Sequence, residues 1–232
     1  MTSYGQFCPV AKTSELLCER WVPLILRELM CGSQRFSEIH RGVPLISPSL
    51  LTTRLRQLTA GGVVERIGTE RTAGYQLTEA GWELYPIIEA MGVWGQRWAR
   101  SSYSVEELDP SLLMWDMRRM LRPDGLADAR TVVEFRFKAA PAGKTAYWLI
   151  VDGDLDLCLL EPGLPVDLQV VATLRALTEV WMGDRPMRAA INDGSIELSG
   201  RRTLVRRFPD WMGAHPVLGS VASVAPRRSV SS

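Results

Sequence analysis

Residues 47–62, SPSLLTTRLRQLTAGG, constrain this chain more than any other stretch, because a helix is punctuated at both ends and its two faces differ in chemistry. Ser47 offers a side-chain oxygen to the unpaired N–H groups of the first turn. Pro48 sits where a missing N–H costs nothing, and Gly61 or Gly62 can take the conformation that ends a helix. At 100° per residue, Leu51, Leu55 and Leu58 fall on one side and Ser49, Thr52, Thr53 and Arg56 on the other, with Arg54 and Gln57 on the flanks. No carboxylate occurs from Ser47 to Ala60. A capped amphipathic helix with a solvated face is the bland alternative, but such a face normally mixes acids with bases. Hydroxyl, amide and guanidinium groups without acids suit phosphate oxygens and base edges.

The neighbouring segments favour the second reading. RFSEIHRGV (residues 35–43) predicts a shorter helix with Phe36 and Ile39 inward, and Pro44-Leu45-Ile46 joins it to the Ser47 cap. Two short helices on a tight connection make a helix-turn-helix. VVERIG (63–68) and YQLT (75–78) then alternate as strands do, and the polar turn TERTAG (69–74) between them carries Arg71. A hairpin at this place is a wing, which sets Arg71 and Arg66 beside the flanking backbone or minor groove.

With these parts in order, residues 7–98 resemble the HxlR family of bacterial winged-helix transcription regulators. Cys8-Pro9, Arg20-Trp21, Leu26-Arg27-Glu28-Leu29, Arg35-Phe36-Ser37-Glu38, Ile46-Ser47-Pro48, Arg54-Leu55 and Leu77-Thr78-Glu79-Ala80-Gly81 carry the resemblance. It implies dimeric, site-specific binding of double-stranded DNA. Thr52, Thr53 and Arg56 are then expected to read base edges, and Arg35, Arg54 and Arg71 to hold phosphates. Ser47, Ser49 and Gln57 complete the DNA-facing set. Some regulators of this kind sense oxidants or electrophiles through a cysteine placed like Cys8. The positive end of the helix starting at Pro9 would favour its thiolate, so Cys8 is a candidate redox switch beside the plainer reading of a capping and packing cysteine.

Dimerisation also has a candidate element. Thr78 caps a predicted helix from Glu79 to about Arg100, with Leu84, Ile88, Met91, Gly95 and Trp98 along one stripe. Trp82 and Trp94 add a second apolar strip, and Pro86 predicts a local bend. The resemblance implies a homodimer built from this helix and the one from Pro9 to Cys18. The six arginines and three acidic residues between Ser33 and Tyr75 give +3, a weakly basic patch. Two copies on one duplex would compensate for that modest charge.

The pattern changes near Ser101-Ser102-Tyr103-Ser104, dividing the chain into domains at 1–103 and 104–216, with a small, polar tail at 217–232 predicted to be disordered. Asp109-Pro110 caps a helix through Leu121. TVVEFRFK (131–138) alternates as a strand with one buried face, and TAYWLIV (145–151), Asp152-Gly153 and DLDLCLL (154–160) form a hairpin. A helix from Asp167 to Met182, a strand from Ser195 to Leu198 and a helix from Arg201 to Met212 complete an α+β second domain. Residues 108–213 resemble the sterol carrier protein-like domain, on Tyr147-Trp148-Leu149-Ile150-Val151-Asp152-Gly153, Pro165-Val166-Asp167, Thr173-Leu174 to Trp181-Met182-Gly183, and Ile196-Glu197-Leu198-Ser199-Gly200. That resemblance implies an apolar tunnel for a small hydrophobic effector. Trp115, Met117, Met120, Trp148, Trp181, Met182 and Trp211 are its candidate wall residues, with an ordinary packed core as the other reading.

Composition narrows the rest. No apolar run approaches the roughly 20 residues that span a bilayer, and no basic-then-apolar leader opens the chain, so a cytoplasmic protein without a membrane partner is expected. Cys8, Cys18, Cys31 and Cys158 lack metal-ligand spacing, no glycine loop cradles phosphate, and neither His40 nor His215 has an evident nucleophile and orienting acid. No cofactor, metal or enzymatic activity is expected. A lipid or hydrophobic-molecule carrier using the winged helix only to dimerise is the alternative; it leaves the exclusion of acids from residues 47–60 without a reason.

Overall fold

The computed structural model describes residues 3–69, 72–99, 103–124, 126, 129–140 and 144–212. The chain forms two compact units, Met1–Met91 and Gly92–Ser232. The first contains α1 (Pro9–Leu17), α2 (Val22–Met30), α3 (Phe36–Gly42), α4 (Pro48–Ala60), β1 (Val64–Ile67), β2 (Gly74–Leu77), α5 (Glu79–Trp82) and most of α6 (Tyr85–Trp94). Its core is Leu17, Val22, Ile25, Leu26, Leu29, Ile39, Val43, Ile46, Leu51, Leu55, Leu58, Val63, Val64 and Leu77. The inward set expected for the 47–62 helix is therefore its buried set.

Arg27 and Glu28 bind α2 to α3. Glu28 is fully buried, accepts hydrogen bonds from Arg27 and from the Ser33 hydroxyl (3.3 Å), and Arg27 also donates to the Gly42 carbonyl at 3.1 Å. Gly42 is a glycine because that carboxylate occupies its side-chain space: a Cβ there would lie 1.9 Å from a Glu28 oxygen. Thr78 and Gly81 make a similar joint. The Thr78 hydroxyl donates to the Gly62 carbonyl at 2.6 Å and caps α5 by accepting from the Gly81 N–H, while a Cβ on Gly81 would meet the Val63 carbonyl oxygen at 2.2 Å.

The expected continuous helix from Glu79 to Arg100 is replaced by two helices and a π turn. After α5, the Leu84 and Ile87 N–H groups reach back only three residues, to Gly81 and Leu84; α6 follows, and Gly95–Ala99 is π-helical. Pro86 has no N–H to offer the Trp82 carbonyl, so the expected bend is a break, with the proline accommodated in the first turn of α6. Arg100 lies outside the described residues.

The second unit holds α7 (Pro110–Met120), β3 (Thr131–Lys138), β4 (Ala146–Val151), β5 (Leu155–Cys158), β6 (Leu168–Thr173), α8 (Leu174–Trp181), α9 (Met187–Asn192), β7 (Ile196–Gly200) and α10 (Arg202–Met212). The sheet order is β5-β4-β3-β6-β7, antiparallel except where β3 runs parallel to β6. An α+β unit was expected, but the helix from Asp167 to Met182 is a correction: 168–173 is a strand, and the helix begins at Leu174. Leu168, Val170 and Ala172 point into the core in register with Val133, Phe135 and Phe137, and Thr173 caps α8 through the Ala176 N–H. Six residues alternating in burial satisfy a strand, and pairing on both sides by β3 and β7 overrode the helical reading. All four helices contribute to the core on this one face of the sheet.

Asp109 caps α7 by accepting from the Ser111 and Leu112 N–H groups at 2.7 and 3.1 Å, and Lys144 donates to its other oxygen at 2.7 Å. Burial raises the carboxyl pKa, but the Lys144 and amide hydrogen bonds outweigh it and hold the group below its usual value. A depressed folded-state pKa contributes stability that is in place above the unfolded value and is lost as pH falls through the folded one. Asp109→Asn should therefore reduce stability at neutral pH and flatten the acid limb of a stability–pH profile; an unchanged slope would exclude this ion pair as a contributor.

Candidate nucleic-acid interface

The polar face of α4 forms as its spacing predicts. The Ser47 hydroxyl accepts from the Leu50 N–H at 3.3 Å, Pro48 opens the helix, and Gly62 takes a left-handed conformation (φ 70°) just beyond it. Ser47, Ser49, Thr52, Thr53 and Arg56 are exposed. The Thr52 and Thr53 hydroxyls donate to the Pro48 and Ser49 carbonyls, both at 2.9 Å, which leaves their oxygen lone pairs outward as acceptors. The Arg56 guanidinium has no partner among the described residues, so its donors are available to a ligand.

Arg54 is placed differently from the phosphate-holding role expected of it. Its side chain is only 13% exposed, pairs with Glu19 at 2.6 Å, and donates to the Arg20 carbonyl at 3.1 Å and to Gln57 Oε1 at 2.8 Å. Gln57 is occupied in the same network. Arg20-Trp21 is a turn in which Trp21 has a left-handed backbone (φ 80°), an uncommon state for a bulky residue. Arg54 therefore fastens α4 to that turn from inside the unit. Glu19, 35 positions earlier in the sequence, gave no sign of this pairing.

Arg35 is exposed at the start of α3, where Glu38 Oε2 accepts from the Gln34 and Arg35 N–H groups, both at 2.9 Å. His40, unassigned from sequence, hydrogen-bonds through Nε2 to the Ile46 carbonyl at 3.0 Å and stacks on Phe36, which fixes the turn before Ser47. β1 and β2 pair antiparallel from Val64↔Leu77 to Ile67↔Gly74, with Arg66 exposed on β1. Arg71, the expected wing cation, lies outside the described residues.

Cys8 is half-buried at the residue before α1 and makes no side-chain capping bond. Among the seven candidate wall residues, Met117 and Trp181 are inside the core of the second unit and Met120, Met182 and Trp211 pack at its edge. Trp115 and Trp148 are buried outside that cluster, Trp115 with the Arg118 and Arg119 guanidinium groups over its ring at 5.3 and 5.7 Å. Trp181 and Trp211 donate their indole N–H to Asp116 (2.7 Å) and the Arg122 carbonyl (2.8 Å). The seven are thus not brought together on one wall. A groove of about 750 Å³ lies instead in the first unit, between α1, the entry to α2 and α6. Among the described residues no group of three or more His, Cys, Asp or Glu side chains could hold a metal, and no helix is long and apolar enough to cross a membrane.

Residues 16–103 match the family model described as HxlR-like helix-turn-helix. The chain is similar to the uncharacterised HTH-type transcriptional regulator YvaP of Bacillus subtilis (strain 168), with 38% identity over 103 residues that cover 43% of this chain and 95% of that protein. It is 35% identical over 104 residues to the HTH-type transcriptional regulator YodB of the same organism, covering 43% of this chain and 93% of YodB. The solved reduced form of YodB from B. subtilis shares 34% identity, covers 41% of this chain and 97% of that one, and superposes with a TM-score of 0.36.

Proposed function

The chain belongs to the HxlR-like helix-turn-helix family of transcriptional regulators, and on that premise we propose that it binds an operator in double-stranded DNA as a homodimer and that a hydrophobic effector in its second unit modulates binding. The observation that carries the DNA reading is the exposed, acid-free face of α4 with an unengaged Arg56 at its centre. Thr52, Thr53 and Arg56 meet base edges, Ser47 and Ser49 approach the backbone at the helix start, Arg35 and Arg71 hold phosphates, and Arg54 with Gln57 sets the pitch of α4. Regulators are not enzymes, and this chain needs no cofactor for the role. The cytoplasm is where it acts.

For dimerisation, α1 and α6 carry exposed Val10, Tyr85, Ile87, Met91 and Trp94. An apolar surface shared by two helices is what a two-fold interface would cover. For the effector, a sterol carrier protein-like second unit is supported by a sheet with all its helices on one face, and its occupant would enter the core cluster that includes Met117 and Trp181. Residues leading into that unit are anchored to it: Gln96 donates to the Met182 carbonyl (3.4 Å), Tyr103 to Asp184 (2.9 Å), and Arg175 to the Tyr103 carbonyl (3.0 Å). Movement of α8 would therefore pull on the segment that follows α6. A twofold preference for one dimer arrangement changes little, whereas about 1.4 kcal/mol shifts the equilibrium tenfold.

The test is fluorescence anisotropy with a duplex from the region upstream of the chain's own gene, titrated with fatty acids, sterols and aromatic compounds while tryptophan emission is followed. Saturable, salt-sensitive binding to that duplex over random DNA supports the regulator; equal affinity for both overturns it. Compounds that bind without changing operator affinity would transfer the role to a carrier.

The Cys8 reading is tested in the same assay. Oxidant or a quinone should lower operator affinity of the wild-type chain but not of Cys8→Ser, the variant otherwise binding normally. An equal response of both proteins would exclude Cys8 as the sensor.

A further inference from the structure

The N-terminal arm presents a side chain that its own unit does not use. Glu15 Oε1 accepts from the Ser3 hydroxyl at 2.9 Å and from the Tyr4 N–H at 2.7 Å, so residues 3–8 double back along α1 and are held there. Burial raises the Glu15 pKa slightly against these bonds, which together keep the carboxylate charged and the clasp closed. At the corner of this arm Phe7 is 99% exposed, two residues before Pro9 on the rim of the α1–α6 groove. A lone exposed apolar residue is ordinary. A pinned phenylalanine next to an open apolar groove on the same face is a different observation.

The groove specifies its occupant. Val10, Leu17, Trp21, Leu24, Ile87 and Met91 line it, and Val10, Leu24, Ile87 and Met91 are exposed at its mouth. Its two charged neighbours are satisfied within the chain: Glu19 pairs with Arg54, and the Arg20 guanidinium lies over the Trp21 ring at 5.1 Å. No charge is left to recognise a polar ligand, so the occupant is apolar. A two-fold interface must be self-complementary, bringing one patch against its own copy. Here one patch holds both the projection, Phe7, and the hole. The arm is already ordered by Glu15, so docking it forfeits little conformational freedom.

We propose that Phe7 of a second copy of this chain fills the groove between α1, the entry to α2 and α6, and reciprocally. The inference rests on the homodimer reading and adds what holds the two copies together. Buried aromatic side chains at the centre of an interface carry a disproportionate share of its affinity. Because Phe7 touches nothing in its own unit, its replacement leaves the monomer fold intact, which circular dichroism would verify.

The experiment uses the full chain. Sedimentation equilibrium should show Phe7→Ala raising the dimer dissociation constant at least tenfold, while Phe7→Leu recovers most of the affinity. A photoreactive benzoylphenylalanine at position 7, in a mixture of ¹⁴N- and ¹⁵N-labelled chains, should cross-link between differently labelled copies to peptides containing residues 21–24 or 87–91. A dimer that is weakened by Leu24→Glu but not by Phe7→Ala, or cross-links confined to one chain, would overturn the Phe7 assignment and leave the dimer standing. A wild-type chain that sediments as a monomer would overturn both.

Discussion

Gly42→Ala should destabilise the first unit by about 3 kcal/mol, at the upper end of the cost of overpacking a filled core. The direction is opposite to what local preference gives. Alanine in a helix is favoured over glycine by about 1 kcal/mol, and Gly42 ends α3 without a left-handed backbone. The new methyl group would, however, lie 1.9 Å from a carboxylate oxygen of Glu28, which is fully buried and cannot withdraw into solvent. Moving it breaks the bonds from Arg27 and Ser33, and a buried charge separated from its partners costs several kcal/mol. Gly61→Ala is the matched control, because its Cβ would meet only the Gln57 carbonyl oxygen and Leu16 at 3.4 Å or more. Amide hydrogen exchange across residues 22–60 checks the pair: protection should fall sharply in Gly42→Ala and stay level or rise slightly in Gly61→Ala. Equal protection in both would show that Glu28 has another place to go.

Arg56→Ala should weaken operator binding by about 1–3 kcal/mol for each half-site and relax discrimination at one base pair in each. The two half-sites compound the loss in a dimer. Arg71→Ala should instead weaken cognate and random duplex alike and reduce the salt dependence of binding, as the loss of a phosphate contact does. Arg54→Ala supplies a third pattern. Since Arg54 joins Glu19, the Arg20 carbonyl and Gln57, its loss should lower thermal stability of the unit together with DNA affinity. Anisotropy titrations against operator variants separate these outcomes; proportional losses on cognate and random DNA for Arg56→Ala would remove it from base recognition.

Sequence alone determined the features that depend on neighbours a few residues apart. The Ser47 cap, the buried stripe of Leu51, Leu55 and Leu58, the exposed Thr52, Thr53 and Arg56, the paired wing strands and the Asp109 cap all follow from side-chain spacing and from local donors and acceptors. The α+β character of the second unit was legible for the same reason: Val133, Phe135 and Phe137 alternate, and alternation is itself a strand signal. Where period and partner disagreed, tertiary structure decided. Residues 168–173 are a strand because β3 and β7 supply hydrogen bonds on both sides, and Pro86 produced a break because no neighbouring group replaced its N–H. Arg54 shows the same limit in a side chain. Its position on α4 makes it a flank residue, but only the fold brings Glu19 and the Arg20 carbonyl to it and turns a free cation into a clamp. The large apolar residues of the second unit repeat the lesson: hydrophobicity drove Met117 and Trp181 inward, and whether an interior position faces packed atoms or a ligand is set by shape contributed from the whole sheet and its helices.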